Sequence, residues 1–374
     1  MPKSIPFIKP KFPAPEDLAK DLKRIYENNF YSNNGPVYFE FKEKLEAYLG
    51  QGLHAVIVSN ATMGLMLAIE AIMGEQKNKK KYIAIPAFTF AAGPLAIRWC
   101  GFEPLFFDVD PVSAQPDLKS FQKVLDVYSD ELAGVLLIND FGIGNGEVDE
   151  WDELLTSKNI PYIIDSAPGF GSTYENGEFI GGRGACEVFS FHATKPFGIG
   201  EGGLITTKDA DLADRLEILK NFGFDDSKRT VGAGTNAKIT ELDCAIGLRI
   251  LAKYPETLTD RRKTYARFED NLKSQNITFL PRAATAAIQF ATIVVPPKYQ
   301  QMLIDKLKVG GVEARTYYAP AVHTFPYFSD APKVDLSNTE LLSQKVISLP
   351  VHPDMDPVTV DYICDIIIKN LEKA

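Results

Sequence analysis

Seven short apolar runs set the strongest limit on what this chain can fold into. They are AVIVS (55–59), YIAIPAF (82–88), EPLFFDVD (103–110), GVLLIND (134–140), PYIIDSA (161–167), EVFSFHA (187–193) and GGLITT (202–207). Most are continuous rather than alternating, so both faces of each strand are expected to be covered. Helical patterns lie between them. That alternation predicts an α/β architecture with a mainly parallel sheet sandwiched by helices.

Ahead of the first run, Glu40 to Leu49 reads as an amphipathic helix. Phe41, Leu45, Tyr48 and Leu49 share one face, and Gly50 is a natural stop. The region from Asp209 to Tyr254 reads as helical at both ends, around the polar loop GFDDSKRTVGAGTN. From about residue 255 the pattern changes to a long helix, TFLPR, AIQFATIVVP, a helix near Leu303, and GVEARTYYAP. This predicts a small α/β domain at 251–374, following a large one at 1–250 that carries an N-terminal arm. The chain closes with Asp356 as a helix N-cap, Pro357 at the first helical position and an apolar helix to Leu371. Its 374 residues suffice for two such domains.

Charge excludes one class of function. Lysine plus arginine total 40 and aspartate plus glutamate 49, so the net charge is 40 − 49 = −9. A general nucleic-acid binder needs a basic face, so no nucleic-acid partner is expected. The four cysteines, Cys100, Cys186, Cys244 and Cys364, form no CxxC pair. Reduced thiols, rather than disulfides or a zinc site, are expected. The N-terminal stretch lacks the apolar run of a signal peptide, and no stretch reaches the ~20 apolar residues of a membrane helix. A cytoplasmic protein is the expectation, with Asn60-Ala-Thr62 and Asn276-Ile-Thr278 as chance matches to the glycosylation pattern. Histidines 54, 192, 323 and 352 are scattered without metal-ligand spacing, and no GxSxG elbow is present.

Chemistry-bearing residues cluster at strand ends. Lys195 ends a strand inside SFHATKPFGIGEGGLITT. A lysine kept partly desolvated there has a lowered pKa and can form a Schiff base, although a random loop lysine is usually just solvated. Asp165 ends PYIID. A buried carboxylate needs a partner, and the protonated ring nitrogen of pyridoxal phosphate is one candidate; a cap of the next turn is the plainer one. Ser59 to Gly64 follows a strand and opens a helix, where free N–H groups can hold a phosphate or simply be capped. Phe90 follows another strand end and could stack on a flat ring or pack in the core. Gly142-Ile143-Gly144-Asn145-Gly146, with Asp165 beyond it, mimics a nicotinamide-binding unit. The third glycine of that pattern would fall at Glu147, so the segment reads as a glycine-rich strand-to-helix turn.

In order along nearly the whole chain, YSNNGPVYFEFKEKLEAYLG, SNATMGLMLAIEA, IAIPAFTFAAGPLAIRWCGFEPLFFDVDP, IIDSAPGFGS, SFHATKPFGIGEGG, GTNAKITELDCAIGLRIL and ISLPVHPDM resemble the DegT/DnrJ/EryC/StrS nucleotide-sugar aminotransferases. The resemblance implies a fold type I pyridoxal-phosphate-dependent transferase, α/β, with a mainly parallel seven-stranded sheet in a three-layer sandwich and a smaller C-terminal α/β domain. It implies pyridoxal 5'-phosphate as cofactor, cycling through pyridoxamine 5'-phosphate. Lys195 would form the Schiff base, Asp165 would pair with the pyridine nitrogen, and Phe90 would stack on the ring. Ala61, Thr62 and Ser190 would hold the phosphate. Asn236 would reach the phosphate of a neighbouring subunit, which implies a homodimer with shared active sites.

Two positions depart from the family pattern. Pro168 stands where the family usually has glutamine or histidine near the cofactor's phenolic oxygen, and it offers no side-chain donor. Lys238 replaces a common arginine, keeping charge but not fork geometry. The implied activity is amino transfer from L-glutamate to a nucleotide-linked keto sugar. NNGP and HATK lean toward dTDP-4-keto-6-deoxyglucose and a 4-amino-4,6-dideoxy sugar for surface polysaccharide such as O-antigen. Lys228 and Arg229 could meet the diphosphate, and Arg315, Tyr317, Tyr318 and His323 could contact substrate; a solvated loop is the competing reading for all six. A 3-keto sugar, or a UDP or GDP carrier, is the near alternative. A dehydrase on the same cofactor is disfavoured by Lys195, and a regulator without turnover is disfavoured by the acidic charge.

Overall fold

The seven apolar runs become the seven strands of one sheet in the computed structural model, which describes residues 4–50, 52–273, 277–281, 283–353 and 355–371. The strands are β1 (His54–Val58), β2 (Tyr82–Pro86), β3 (Glu103–Phe107), β4 (Leu132–Ile138), β5 (Tyr162–Asp165), β6 (Cys186–Ser190) and β7 (Gly203–Thr207). Their spatial order is β1-β7-β6-β5-β4-β2-β3. Only β7 runs against its neighbours, pairing antiparallel with β1 and β6. Alternate side chains point to opposite faces of a strand. Here Ile57, Ala84, Leu137 and Ile164 enter one apolar core, and Val58, Ile85, Leu136 and Ile163 enter the other. Burial on both faces is why the runs show no polar alternation.

Twelve helices among the described residues complete the layers. α1 (Pro15–Asn28), α2 (Pro36–Leu49), α3 (Ala61–Met73), α4 (Ala92–Trp99), α5 (Leu118–Tyr128), α6 (Val148–Ser157), α7 (Ala210–Lys220) and α8 (Glu241–Leu251) accompany the large sheet. Residues of α2, α5, α6 and α8 fill one core, and residues of α3, α4 and α7 the other. That is the three-layer sandwich expected. α9 (Tyr254–Leu272), α10 (Pro297–Val309) and α12 (Pro357–Leu371) surround an antiparallel sheet of order β10-β9-β8, made of β8 (Thr278–Phe279), β9 (Phe290–Val294) and β10 (Val346–Pro350). α11 (Ser337–Ser343) precedes β10.

Several boundaries differ from the sequence expectation. α2 begins four residues earlier, at Pro36, because its first turn is capped from a distance. Glu241 accepts hydrogen bonds from the backbone N–H groups of Val37 (2.9 Å) and Tyr38 (2.7 Å). A Cβ on Gly35 would lie 2.6 Å from that carboxyl group, so glycine is needed there. α1 gave little signal because Ile25 is its one fully buried residue. GVEARTYYAP forms no ladder; Val312 and Arg315 make isolated bridges to Ile5 and Ser348. Ile5 donates to Gly311 O (2.8 Å) and accepts from Glu313 N (3.0 Å), which ties the start of the chain to the smaller sheet's layer. Asp356 caps α12 through Thr359 N–H at 2.7 Å.

All four cysteines are buried and free. Asn276 of the second glycosylation match lies outside the described residues. Among the described residues no helix is long and apolar enough to cross a membrane, and no cluster of possible metal ligands occurs.

Candidate active site

The large sheet's strand ends deliver several polar groups to one pocket of about 730 Å³. β5 ends in Asp165, which is 7% exposed. β6 ends in Ser190, and the turn after it carries His192, Thr194 and Lys195. β4 leads through Asn139 to Asp140. All of these line the pocket. Apolar residues fill both faces of these strands, so each terminal polar side chain is set by a rigid ladder.

Lys195 is anchored by a ring two residues further on. Phe197 is buried between Phe170 and Phe191, at 4.7 Å from each ring centre, with Tyr254 at 5.0 Å. Each such buried ring contributes roughly 1.5–3 kcal/mol. The glycines of the adjoining loop serve the protein's own packing. A Cβ on Gly203 would lie 2.7 Å from the Ala61 nitrogen, and one on Gly202 would lie 2.7 Å from Ile199. Gly203 thereby lets β7 pass directly beside the start of α3.

The electrostatics pair Lys195 with Asp165. Burial lowers the Lys195 pKa to about 8, partly offset by the Asp165 charge. An ordinary lysine at pH 7 holds a few free amines in ten thousand; a value near 8 raises that to about one in ten. Burial raises Asp165 to about 6, against the pull of the Ala167 N–H and of Lys195. The Ala167 N–H donates to Asp165 Oδ1 at 2.9 Å. Lys195 Nζ donates to Gln289 Oε1 at 3.4 Å, and Gln289 Nε2 donates to Thr194 O at 3.1 Å.

Across the pocket, α3 presents its N-terminus. The Asn60 side chain accepts from Met63 N–H at 2.9 Å and caps the helix. Ala61 and Thr62 form the first turn and line the pocket, so the helix dipole faces it. Phe90 is 61% exposed and borders the same space. Arg315, Tyr317 and Tyr318 line it from the smaller sheet's layer. Arg315 Nη1 donates to the Tyr317 hydroxyl at 2.8 Å, and its guanidinium lies 4.7 Å over the Phe7 ring. Pro168 also lines the pocket.

Other sequence candidates lie elsewhere. His323 is 5% exposed and packs by Phe106, with Nε2 3.4 Å from Glu340. Lys228 and Arg229 sit in the 221–236 loop outside this chain's pocket, and Arg229 pairs with Asp225 at 2.7 Å. Asn236 is exposed and also outside the lining. The Lys238 amine lies 4.3 Å over the Phe222 ring. Sequence reasoning passed over Asp140 and Gln289. Asp140 carried the same signal as Asp165, an acid ending an apolar run; Gln289 carried none, since only the fold brings it to Lys195.

The sequence profile of the DegT/DnrJ/EryC1/StrS aminotransferase family matches residues 14–368. The chain belongs to that family. A Mycobacterium tuberculosis protein whose name states no activity is 38% identical, over 94% of this chain and 87% of its own. The dTDP-4-amino-4,6-dideoxy-D-glucose transaminase of Shigella dysenteriae is 25% identical, over 97% of this chain and 98% of that one. A Bacillus cereus structure solved as a candidate PLP-dependent aminotransferase superposes with a TM-score of 0.91 at 30% identity, covering 98% of this chain and 100% of the other. The architecture is fold type I, as expected, and the family's cofactor is pyridoxal 5'-phosphate.

The pocket suits that cofactor on its own chemistry. A partly deprotonated amine, a buried carboxylate and a helix N-terminus complement an aldehyde, a pyridinium and a phosphate respectively.

Proposed function

We propose that this protein transfers an amino group from L-glutamate to a nucleotide-linked keto-deoxy sugar. The preferred acceptor is dTDP-4-keto-6-deoxyglucose, and the product is the 4-amino-4,6-dideoxy sugar, for surface polysaccharide such as O-antigen. The observation that carries the reading is Lys195 beside Asp165 in one pocket, opposite the start of α3. The Shigella transaminase, related over almost its full length, favours the dTDP sugar. A 3-keto sugar or another nucleotide is the second choice within the same chemistry.

The bound cofactor supplies a reactive aldehyde carbon and a ring that takes up an electron pair. Each side chain then has a defined task. Lys195 would hold the aldehyde and, once released, would carry a proton on Nζ to and from the substrate carbon. Asp165 would accept a hydrogen bond from the ring nitrogen and keep it protonated. Ala61 and Thr62 would offer N–H groups to the phosphate, with Ser190 beside them. Phe90 would cover one face of the ring. Gln289 would orient the free Lys195 amine. Arg315 would attract the anionic substrate. Lys228, Arg229 and Asn236 would act in the partner's pocket of a cytoplasmic homodimer.

The test is a spectral half-reaction. Protein loaded with pyridoxal phosphate is expected to lose its yellow absorbance when glutamate is added. After glutamate is removed, one nucleotide keto sugar from a panel should restore it, and that sugar is the substrate. Protein that never turns yellow would overturn the roles of Lys195 and Asp165. Protein bleached by glutamate but restored by no sugar would overturn the sugar assignment alone.

A further inference from the structure

Asp140 stands two residues past the end of β4, in the short turn Asp140–Gly142. It is 1% exposed and lines the same pocket as Lys195 and Asp165. Both of its carboxyl oxygens are buried; the Tyr318 hydroxyl faces them, and no other hydrogen-bond partner is found among the described residues. A charged carboxylate at such a place is costly, because it loses water and gains only the Tyr318 hydroxyl as a donor. Burial raises the Asp140 pKa well above the ordinary range, and the Asp165 charge raises it further; the Tyr318 hydroxyl pulls it down less.

Two buried acids that line one pocket and repel each other do not share the negative charge equally. Asp165 has the Ala167 N–H and the nearby Lys195 amine to favour its anion. Of the two, Asp140 is the site whose surroundings favour the proton. With the Tyr318 hydroxyl donating to one oxygen, a protonated Asp140 has one O–H left to donate, and no acceptor for it is found among the described residues.

Nearby amides and imidazole are committed elsewhere. Asn139 Nδ2 donates to Ser166 Oγ at 2.9 Å, and its Oδ1 accepts from Asn145 N–H at 3.0 Å. Gln289 bridges Lys195 and Thr194. His192 Nδ1 meets Thr194 Oγ1 at 2.8 Å. Pro168 has no donor. The cofactor, meanwhile, has four polar features: an aldehyde, a phosphate, a ring nitrogen and a phenolic oxygen. Lys195, the start of α3 and Asp165 match the first three. The phenolic oxygen is an acceptor that calls for a donor.

We propose that Asp140 is a further cofactor-contacting residue, whose carboxylic acid donates a hydrogen bond to the phenolic oxygen of bound pyridoxal phosphate. The inference rests on the cofactor reading of the pocket given above. A donor at that oxygen stabilises its ionised form, so it tightens cofactor binding. It also lowers the pH at which the bound cofactor's absorption changes.

Both quantities are measured on the full-length protein, with wild type first. Asp140→Leu removes the donor. It should weaken pyridoxal phosphate binding about tenfold and raise the pH of the absorption change by about one unit. Asp140→Asn keeps an N–H donor without a charge, and it should stay within about threefold of wild type with little spectral shift. If Asp140→Leu fails to fold, Asp140→Ala removes the donor without added bulk. Unchanged binding and spectrum in the donorless variant would overturn the proposal. An Asp140→Asn variant as impaired as Asp140→Leu would overturn it too, since it would show that the carboxyl acts as an anion. Wild-type protein that takes up no cofactor would instead overturn the functional reading itself.

Discussion

Asp165 and Lys195 each sit away from their ordinary pKa in the direction that burial dictates. Asp165 is held at about 6 rather than 3.8, so the folded protein binds more protons than the unfolded chain between those values. Its contribution is therefore most favourable below pH 3.8 and declines as pH rises to 6. Lys195 is held at about 8 rather than 10.5, so the unfolded chain binds more protons in that window. Cofactor-free protein is penalised fully below pH 8 and recovers as pH rises toward 10.5. Asp165→Asn removes the first effect. Thermal melts of the cofactor-free variant should show a smaller stability change between pH 4 and 6 than wild type. Turnover should fall by about 10²–10³-fold, because the ring nitrogen would lose the anion proposed to pair with it. An unchanged pH slope would place the responsible group elsewhere.

Elements hold these residues through contacts distant in sequence. Phe197 pins the turn that carries Lys195 into the Phe170, Phe191 and Tyr254 cluster. Phe197→Ala should cost about 3–5 kcal/mol in denaturant unfolding, and it should also weaken cofactor binding by loosening Lys195. A stability loss with cofactor affinity intact would show that the turn is held by other means. The NNGP segment has an architectural task of its own. Pro36 begins α2, and Gly35 leaves space for the Glu241 carboxyl that caps it. Gly35→Ala should cost about 1–3 kcal/mol, read as a lower denaturation midpoint. Its glycine and proline thus have a structural reason to be present whatever the sugar, which removes part of their weight in choosing a substrate.

For the whole molecule, the division of candidate residues is informative. Nine of the thirteen sequence candidates named for the site line this chain's pocket, while Lys228, Arg229 and Asn236 project from another loop and His323 lies in the core. The loop residues fit the proposed homodimer with shared sites. Lys195→Ala and Asn236→Ala proteins, each inactive alone, should regain activity when unfolded and refolded together. Each mixed dimer would hold one pocket with both native residues. Equal mixing makes about half of all dimers mixed, so close to a quarter of the pockets should be native. No recovery in verified mixed dimers would mean that each pocket is complete within one chain.

The sequence alone determined the sheet. Seven short apolar runs, most of them continuous, called for burial on both faces, and Lys195 and Asp165 stood out because polar groups ended such runs. Local chemistry also marked Gly50 and Asp356 as helix boundaries, and both serve there. Only the tertiary structure decided which strand ends converge. It placed Asp140 beside Asp165 and brought Gln289, ninety-four positions away, to Lys195. It also took His323 out of the pocket and into the packing by Phe106. The physical reason is range. Periodicity and capping act over a few residues and are written locally, whereas the meeting of two buried polar groups depends on strand order and on how one layer packs against the next.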